Sequence, residues 1–238
     1  MIKFLKDQPI AFIERERILV VSELHLGFEY ELMKSGIVIP PQAEKFVKII
    51  RKAMNKTKAK KLLIIGDVKH KVPGISSREI KEIPKFFSCF ENPIVVKGNH
   101  DANLEKIISA KIHGSKGMRI GKFGFFHGNA WPEREIFKCD YLFASHLHPS
   151  IQIVSEFGLK SMHRVWVKTK IDKRIIEKKF GMIKTGKLNL IVMPAFNPLV
   201  GHMVLNSPKV KLSSPLKSFL KEAEIYLLDG TFFGKLKF

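Results

Sequence analysis

The chain has 238 residues, is 45% hydrophobic, and carries 42 Lys and Arg against 22 Asp and Glu, a formal charge of +20. It is long enough to bury a large core. It has no run of about 18 apolar residues, which excludes a spanning helix, and residues 1–12 lack a signal-peptide hydrophobic region. A cytoplasmic globular protein with no membrane association is expected, organised as one domain over residues 1–238. The positive excess predicts attraction to polyanions, nucleic acid among them.

In chain order, Ala11 to Glu14 and Arg17 to Ser22 predict an opening hairpin. Glu23-Leu24-His25 follows it directly. Pro41 to Lys56 reads as an amphipathic helix with Phe46, Val47, Ile50 and Met54 near helical spacing, and Pro40 and Pro41 suit its start. Leu62 to Gly66 is a buried strand that ends at Asp67. Ser76-Ser77 can cap a helix running to about Phe90, with Glu79 in its first turn. Asn92 to Lys97 is a strand leading into Gly98-Asn99-His100-Asp101, and Asn103 to Ile108 is a short helix. This alternation of strand and helix predicts a layered α/β fold with a largely parallel sheet.

Beyond Gly114 short strands dominate: Met118 to Ile120, Phe123 to Phe126, Tyr141 to Ala144, Ile151 to Phe157, His163 to Lys168, Leu188 to Met193, Glu224 to Leu228 and Thr231 to Lys235. His127-Gly128 and His146-Leu147-His148 follow the second and third of these. The pattern predicts a second, more antiparallel sheet, closed by a hairpin with an Asp229-Gly230 turn. Ile171 to Phe180 reads as a basic helix, and Asn206 to Ser218 as a loop, the most mobile stretch. Cys89 and Cys139 lack zinc-knuckle spacing and read as reduced thiols.

The five polar islands share one property: each begins where an apolar run ends. Residues two apart in extended chain point the same way. Glu23 and His25 are therefore expected to converge, and so are His146 and His148. Sites in sheets with crossover helices form beyond the strand ends. Histidines, carboxylates and an amide oxygen gathered there predict a divalent transition-metal site. A two-metal site needs a bridging carboxylate, and Asp67 is the candidate. One ion would take Glu23, His25, Asp67 and His148; the other would take Asp67, Asn99, His127 and His146. Water between the ions would lose a proton and attack phosphorus. His100 would protonate the leaving oxygen, with Asp101 orienting its ring. His70 and Lys69 are candidates for substrate contact, with plain surface roles as the alternative. His113, His163 and His202 read as structural.

In this order the islands resemble the calcineurin-like metallophosphoesterases, whose motifs run D-x-H, G-D, G-N-H-D, H-G and x-H-x-H. Gly66-Asp67-Val68-Lys69-His70 and the segment from Pro194 to Gly201 resemble a narrower group, the archaeal SbcD-related phosphoesterases. The resemblance implies a four-layer sandwich of two mixed β-sheets flanked by α-helices. It also implies the same ligand assignments and two divalent ions, manganese favoured over iron or zinc. One position departs from the pattern: Glu23 stands where the family carries Asp, about 1.5 Å longer in reach. Retained two-metal binding and a weakened first site are both open on this reading.

The activity expected is metal-dependent hydrolysis of a phosphate ester, a phosphodiester and nucleic acid by preference. A small-molecule or nucleotide phosphomonoesterase and a metal-poor nucleic-acid-binding protein are the alternatives. Lys48 to Lys61 holds seven basic residues and no acidic one; Lys160 to Lys187 holds ten basic and two acidic. Each cluster reads either as nucleic-acid contact or as a solvated basic face. Oligomeric state is left open.

Overall fold

Two β-sheets packed face to face, with helices outside each, make up the computed structural model, which describes residues 1–212 and 215–238. The first sheet contains β1 (Ile2–Phe4), β2 (Ala11–Ile13), β3 (Ile18–Ser22), β4 (Lys61–Ile65), β5 (Ile94–Val96) and β6 (Lys111–His113), in that spatial order. The joins β1–β2 and β2–β3 are antiparallel; β3 to β6 run parallel. Three helices belong to this half: α1 (Phe28–Lys34), α2 (Ala43–Thr57) and α3 (Ser77–Phe87).

The second sheet contains β7 (Met118–Ile120), β8 (Phe123–Phe125), β9 (Tyr141–Ala144), β10 (Pro149–Val154), β11 (Lys160–Lys170), β12 (Asn189–Val192) and β13 (Met203–Val204). It runs β13-β10-β11-β12-β9-β8-β7, and β14 (Glu222–Leu227) with β15 (Phe232–Lys237) extends from β11. Strands β8, β9 and β12 are mutually parallel. The helices here are α4 (Lys173–Phe180) and α5 (Leu216–Phe219).

Period-two alternation explains the layers. Ile18, Val20, Leu63 and Ile65 turn inward onto Phe125, Phe143, Trp166 and Ile191 of the second sheet. Leu19, Val21, Leu62 and Ile64 turn outward onto Phe46 and Ile50 of α2 and Ile83 and Phe86 of α3. Leu142, Val165, Val167 and Leu190 face Phe137, Ile176 and Phe219 on the far side. Strands buried on both faces read as continuous apolar runs, and each such side chain contributes about 1.5–3 kcal/mol of burial. The fold is thus the expected four-layer sandwich.

Local details differ from the expectations. Asn103 to Ile108 forms only a 3₁₀ turn at Leu104–Lys106. Lys160–Lys170 is one long strand that pairs with β10 along its first half and with β12 and β14 along its second. The turn joining β10 to β11 therefore falls earlier than expected, at 155–159, where Gly158 takes φ +76°. Part of the predicted loop from Asn206 to Ser218 lies outside the described residues, and α5 occupies its end. Both cysteines are free thiols, with Cys139 buried. No described helix is long and apolar enough to cross a membrane.

Candidate metal centre

All five islands lie just past the carboxyl ends of parallel strands: β3, β4 and β5 in the first sheet, β8 and β9 in the second. They converge between the two sheets. The means of convergence is not strand alternation, because the strands have already ended. Glu23, His25, Asp67, His146 and His148 each hold the left-handed conformation, with φ between +41° and +66°. Non-glycine residues rarely adopt it, and it is held where surrounding structure enforces it. Each such turn reverses the chain and aims its side chain inward.

The glycines of the motifs allow close approach. A Cβ on Gly66 would stand 1.9 Å from His127 Nδ1, and one on Gly98 would stand 2.1 Å from Asp67 Oδ1. Only hydrogen at those two positions leaves room for the ligands.

Glu23 is fully buried and divides its carboxylate. Oε2 stands 3.1 Å from His25 Nε2 and 2.8 Å from His148 Nε2. Oε1 accepts the backbone N–H of His146 at 2.7 Å and stands 3.2 Å from His127 Nδ1. Asp67 Oδ2 lies 3.8 Å from His25 Nε2 and 3.5 Å from His127 Nε2, between the two groups of histidines. Its Oδ1 accepts the His100 backbone N–H at 2.8 Å. Asn99 Oδ1 and His146 Nδ1 stand 3.0 and 3.2 Å from His127 Nε2. His25 and His148 thus cluster on one side and Asn99, His127 and His146 on the other; Asp67 lies between, and Glu23 touches both, grouping with His25 and His148 through Oε2 and with Asp67 and His127 as well.

Supporting contacts fix the ring orientations. Ser145 Oγ donates to Ile65 O at 3.0 Å and lies 3.0 Å from His127 Nδ1, so that His127 Nε2 faces Asn99 and Asp67. His148 Nδ1 donates to Gly201 O at 2.8 Å. Asn197 donates from Nδ2 to Leu24 O at 3.0 Å and from its backbone to Glu23 O at 3.2 Å, which pins the turn carrying Glu23. Ser145, Asn197 and Gly201 carry no metal-ligand chemistry of their own and were not among the predicted residues. The segment Pro194 to Gly201, already set apart by its resemblance, was the available signal for two of them.

The charges suit a divalent cation. Burial, with the Glu23 charge beside it, pushes the Asp67 carboxyl up to about 8. Burial opposes a charged His148 ring, yet Glu23 outweighs it and raises His148 to about 9. Burial lowers His25 and His146 to about 4, keeping their rings neutral. Two buried carboxylates repel unless a proton or a cation lies among them. Neutral imidazoles, carboxylates and an amide oxygen are donors for manganese, iron or zinc.

Two of the expected roles do not match the contacts. The Asp101 carboxylate accepts three backbone N–H groups, Val68 at 2.8 Å, Lys69 at 3.2 Å and Gly98 at 2.9 Å. It ties the Asp67 loop to the Asn99 loop, while the His100 ring is held by the His70 carbonyl, 2.5 Å from Nδ1. Lys69 is buried, and its Nζ donates to Lys71 O at 2.5 Å and Gly74 O at 2.7 Å, so its charge is engaged by loop carbonyls. His70 does reach the site: its Nδ1 is 3.3 Å from His25 Nδ1, and its Nε2 is 2.9 Å from Glu31 Oε2. His70 and His100 also border a cleft of about 760 Å³ between α1 and α3, with Tyr30, Lys34, Lys71 and Arg78 on its walls.

The model of the calcineurin-like phosphoesterase family matches residues 16–212. Among solved structures, the chain is similar to the nuclease MPE of Pseudomonas putida, at 16% identity and a TM-score of 0.54, over 93% of this chain and 89% of that one. It is also similar to YfcE, a phosphoesterase from E. coli, at 12% identity and a TM-score of 0.41, over 92% of this chain and 98% of that one. No curated protein sequence matches it.

Proposed function

Because the chain belongs to the calcineurin-like phosphoesterase family, and is thereby a metal-dependent hydrolase of phosphate esters, we propose that it cleaves phosphodiester bonds, with nucleic acid as the substrate class. The observation that carries the reading is the convergence of Glu23, His25, Asp67, Asn99, His127, His146 and His148 from loops of both sheets.

We assign Glu23, His25, Asp67 and His148 to one ion, and Asp67, Asn99, His127 and His146 to the other. Two divalent ions there would supply a hydroxide nucleophile and neutralise charge on the phosphoryl group, manganese being the favoured metal. Asp67, buried between the two groups, is the shared ligand. Ser145 and Gly201 hold the His127 and His148 rings with their ligating nitrogens inward; such outer contacts are worth about 10–100-fold in affinity. His100 keeps its Nδ1–H on the His70 carbonyl and offers a proton from Nε2 to the leaving oxygen. Asp101 supports this at one remove, by fixing the loop on which His100 stands.

Lys34, Lys71 and Arg78 in the adjoining cleft, together with the net charge of +20, support an extended polyanion. At 16% identity the nuclease of P. putida supports the fold alone.

The purified chain with manganese is expected to hydrolyse bis(p-nitrophenyl) phosphate faster than p-nitrophenyl phosphate. Asp67→Asn and His100→Ala are each expected to lose at least about a hundredfold of that rate. Preference for the monoester would replace the diester reading with a phosphomonoesterase, and undiminished turnover in Asp67→Asn would sink the mechanism.

A further inference from the structure

One group of metal-binding side chains is left over when the two centres have been assigned. His25, His70 and His100 each bring a ring nitrogen within 4.8 Å of the others. Their ring centroids are 4.9 to 5.5 Å apart. His70 and His100 belong to neither ligand set above, and His25 belongs to the first only through Nε2.

The hydrogen bonds determine which nitrogens are free. His70 gives its Nε2–H to Glu31 Oε2 at 2.9 Å, so its Nδ1 bears a lone pair. His100 gives its Nδ1–H to the His70 carbonyl, so in the neutral ring, the form left after the acid step, its Nε2 bears one. Each ring therefore has an oxygen acceptor behind it, the arrangement found around metal-bound histidines. His70 Nδ1 faces His25 Nδ1 at 3.3 Å. Two nitrogens bound about 2.0–2.1 Å from a tetrahedral zinc stand about 3.3–3.4 Å apart, so the observed gap is that of one edge of such a site. The cleft between α1 and α3 opens beside His70 and His100 and leaves room for a fourth ligand.

We propose that His25, His70 and His100 form a third divalent-ion site, selective for an imidazole-preferring ion such as Zn²⁺, which shuts the enzyme down by occupying His100. An all-imidazole donor set favours zinc, copper or nickel over manganese, so the site fills when such an ion is in excess. An ion bound there would take the place of the Nδ1 proton of His25, released to solvent, and His25 would then serve the third ion through Nδ1 and the first centre through Nε2. His100 Nε2, engaged with the ion, no longer carries a proton for the leaving group.

The inhibitory consequence rests on the proposed acid role of His100; the site itself does not. The test uses the full chain with Zn²⁺ as the probe. Crystals soaked in zinc chloride and measured at the zinc edge should show an anomalous peak among the three rings, in addition to peaks at the assigned centres. His70→Ala should lose that peak and no other. In manganese-loaded enzyme, added zinc should lower diester turnover at least tenfold for the natural chain and less than twofold for a folded His70→Ala. Absence of a peak among the three rings in the natural chain overturns the proposal and leaves a shared proton between the two Nδ1 atoms. A peak there in a chain that hydrolyses nothing sinks the phosphodiesterase reading and leaves the third site standing.

Discussion

Glu23 answers at the scale of one residue the question its extra methylene raises. The backbone turns left-handed at φ +56°, and the longer side chain lies buried with one oxygen toward His25 and His148 and the other on His146 N–H. A shorter carboxylate reaches one side only. Glu23→Asp is therefore expected to strand the half-buried His146 N–H, at a cost of about 1 kcal/mol, read from urea melts of the metal-free protein. No gain in manganese-dependent turnover is expected; a large gain would show that the natural first centre is compromised. Which residues carry chemistry was legible from type and spacing. What each side chain touches was not: Asp101 neighbours His100 in sequence, yet its carboxylate collects backbone N–H groups from two loops. Lys69 beside Asp67 is spent on loop carbonyls. Adjacency along the chain says nothing about direction once the backbone leaves regular geometry.

Among the elements, α3 bears on the site through its first turn. Ser76 and Glu79 form a reciprocal cap, of the kind that satisfies orphan donors at a helix start. The same Glu79 carboxylate also accepts His70 N–H at 3.0 Å and Lys71 N–H at 2.8 Å. One buried side chain thus begins a helix and fixes the loop presenting His70. Glu79→Ala is expected to cost about 2–4 kcal/mol, the sum of a lost cap and orphaned loop donors, measured by denaturant midpoint, with Ser76→Ala costing only about 1 kcal/mol. The strands with continuous apolar runs, Ile18 to Val21 and Leu62 to Ile65, were legible because both faces are covered. Strands β1 and β6 were not, being three residues each with part-exposed faces and paired on one edge only. Helix α1 was missed because its seven residues, Phe28–Lys34, capped by Gly27, carry little periodic signal.

Taken whole, the molecule spreads its positive charge over both ends of its strands. Lys60 and Lys61 lie at the opening end of β4, and Lys168 and Lys170 line a cavity of about 610 Å³ with Phe4 and Tyr141. Both places are at the end of the strands away from the metal centre, so these four lysines do not border it, whereas Lys34, Lys71 and Arg78 line the cleft beside His70 and His100. Acidity governs loading. Asp67, raised to about 8 by burial and the Glu23 charge, and His148, raised to about 9, must both release protons to bind metal. Without metal, each favours the fold while protonated. That contribution is lost as pH rises, across about 4 to 8 for Asp67 and about 6.5 to 9 for His148. Scanning calorimetry should therefore show the gap in melting temperature between metal-loaded and chelated protein widening from pH 6 to 9; a narrowing gap would contradict the assignment. The ligands come from loops of both sheets, and the two carboxylates sit beneath imidazoles at 0 and 2% exposure. Ions bound there would tie the halves of the sandwich together along their seam. Chelation is therefore expected to loosen the packing of the two sheets, read as faster amide hydrogen exchange in β3, β4 and β9 of the metal-free protein.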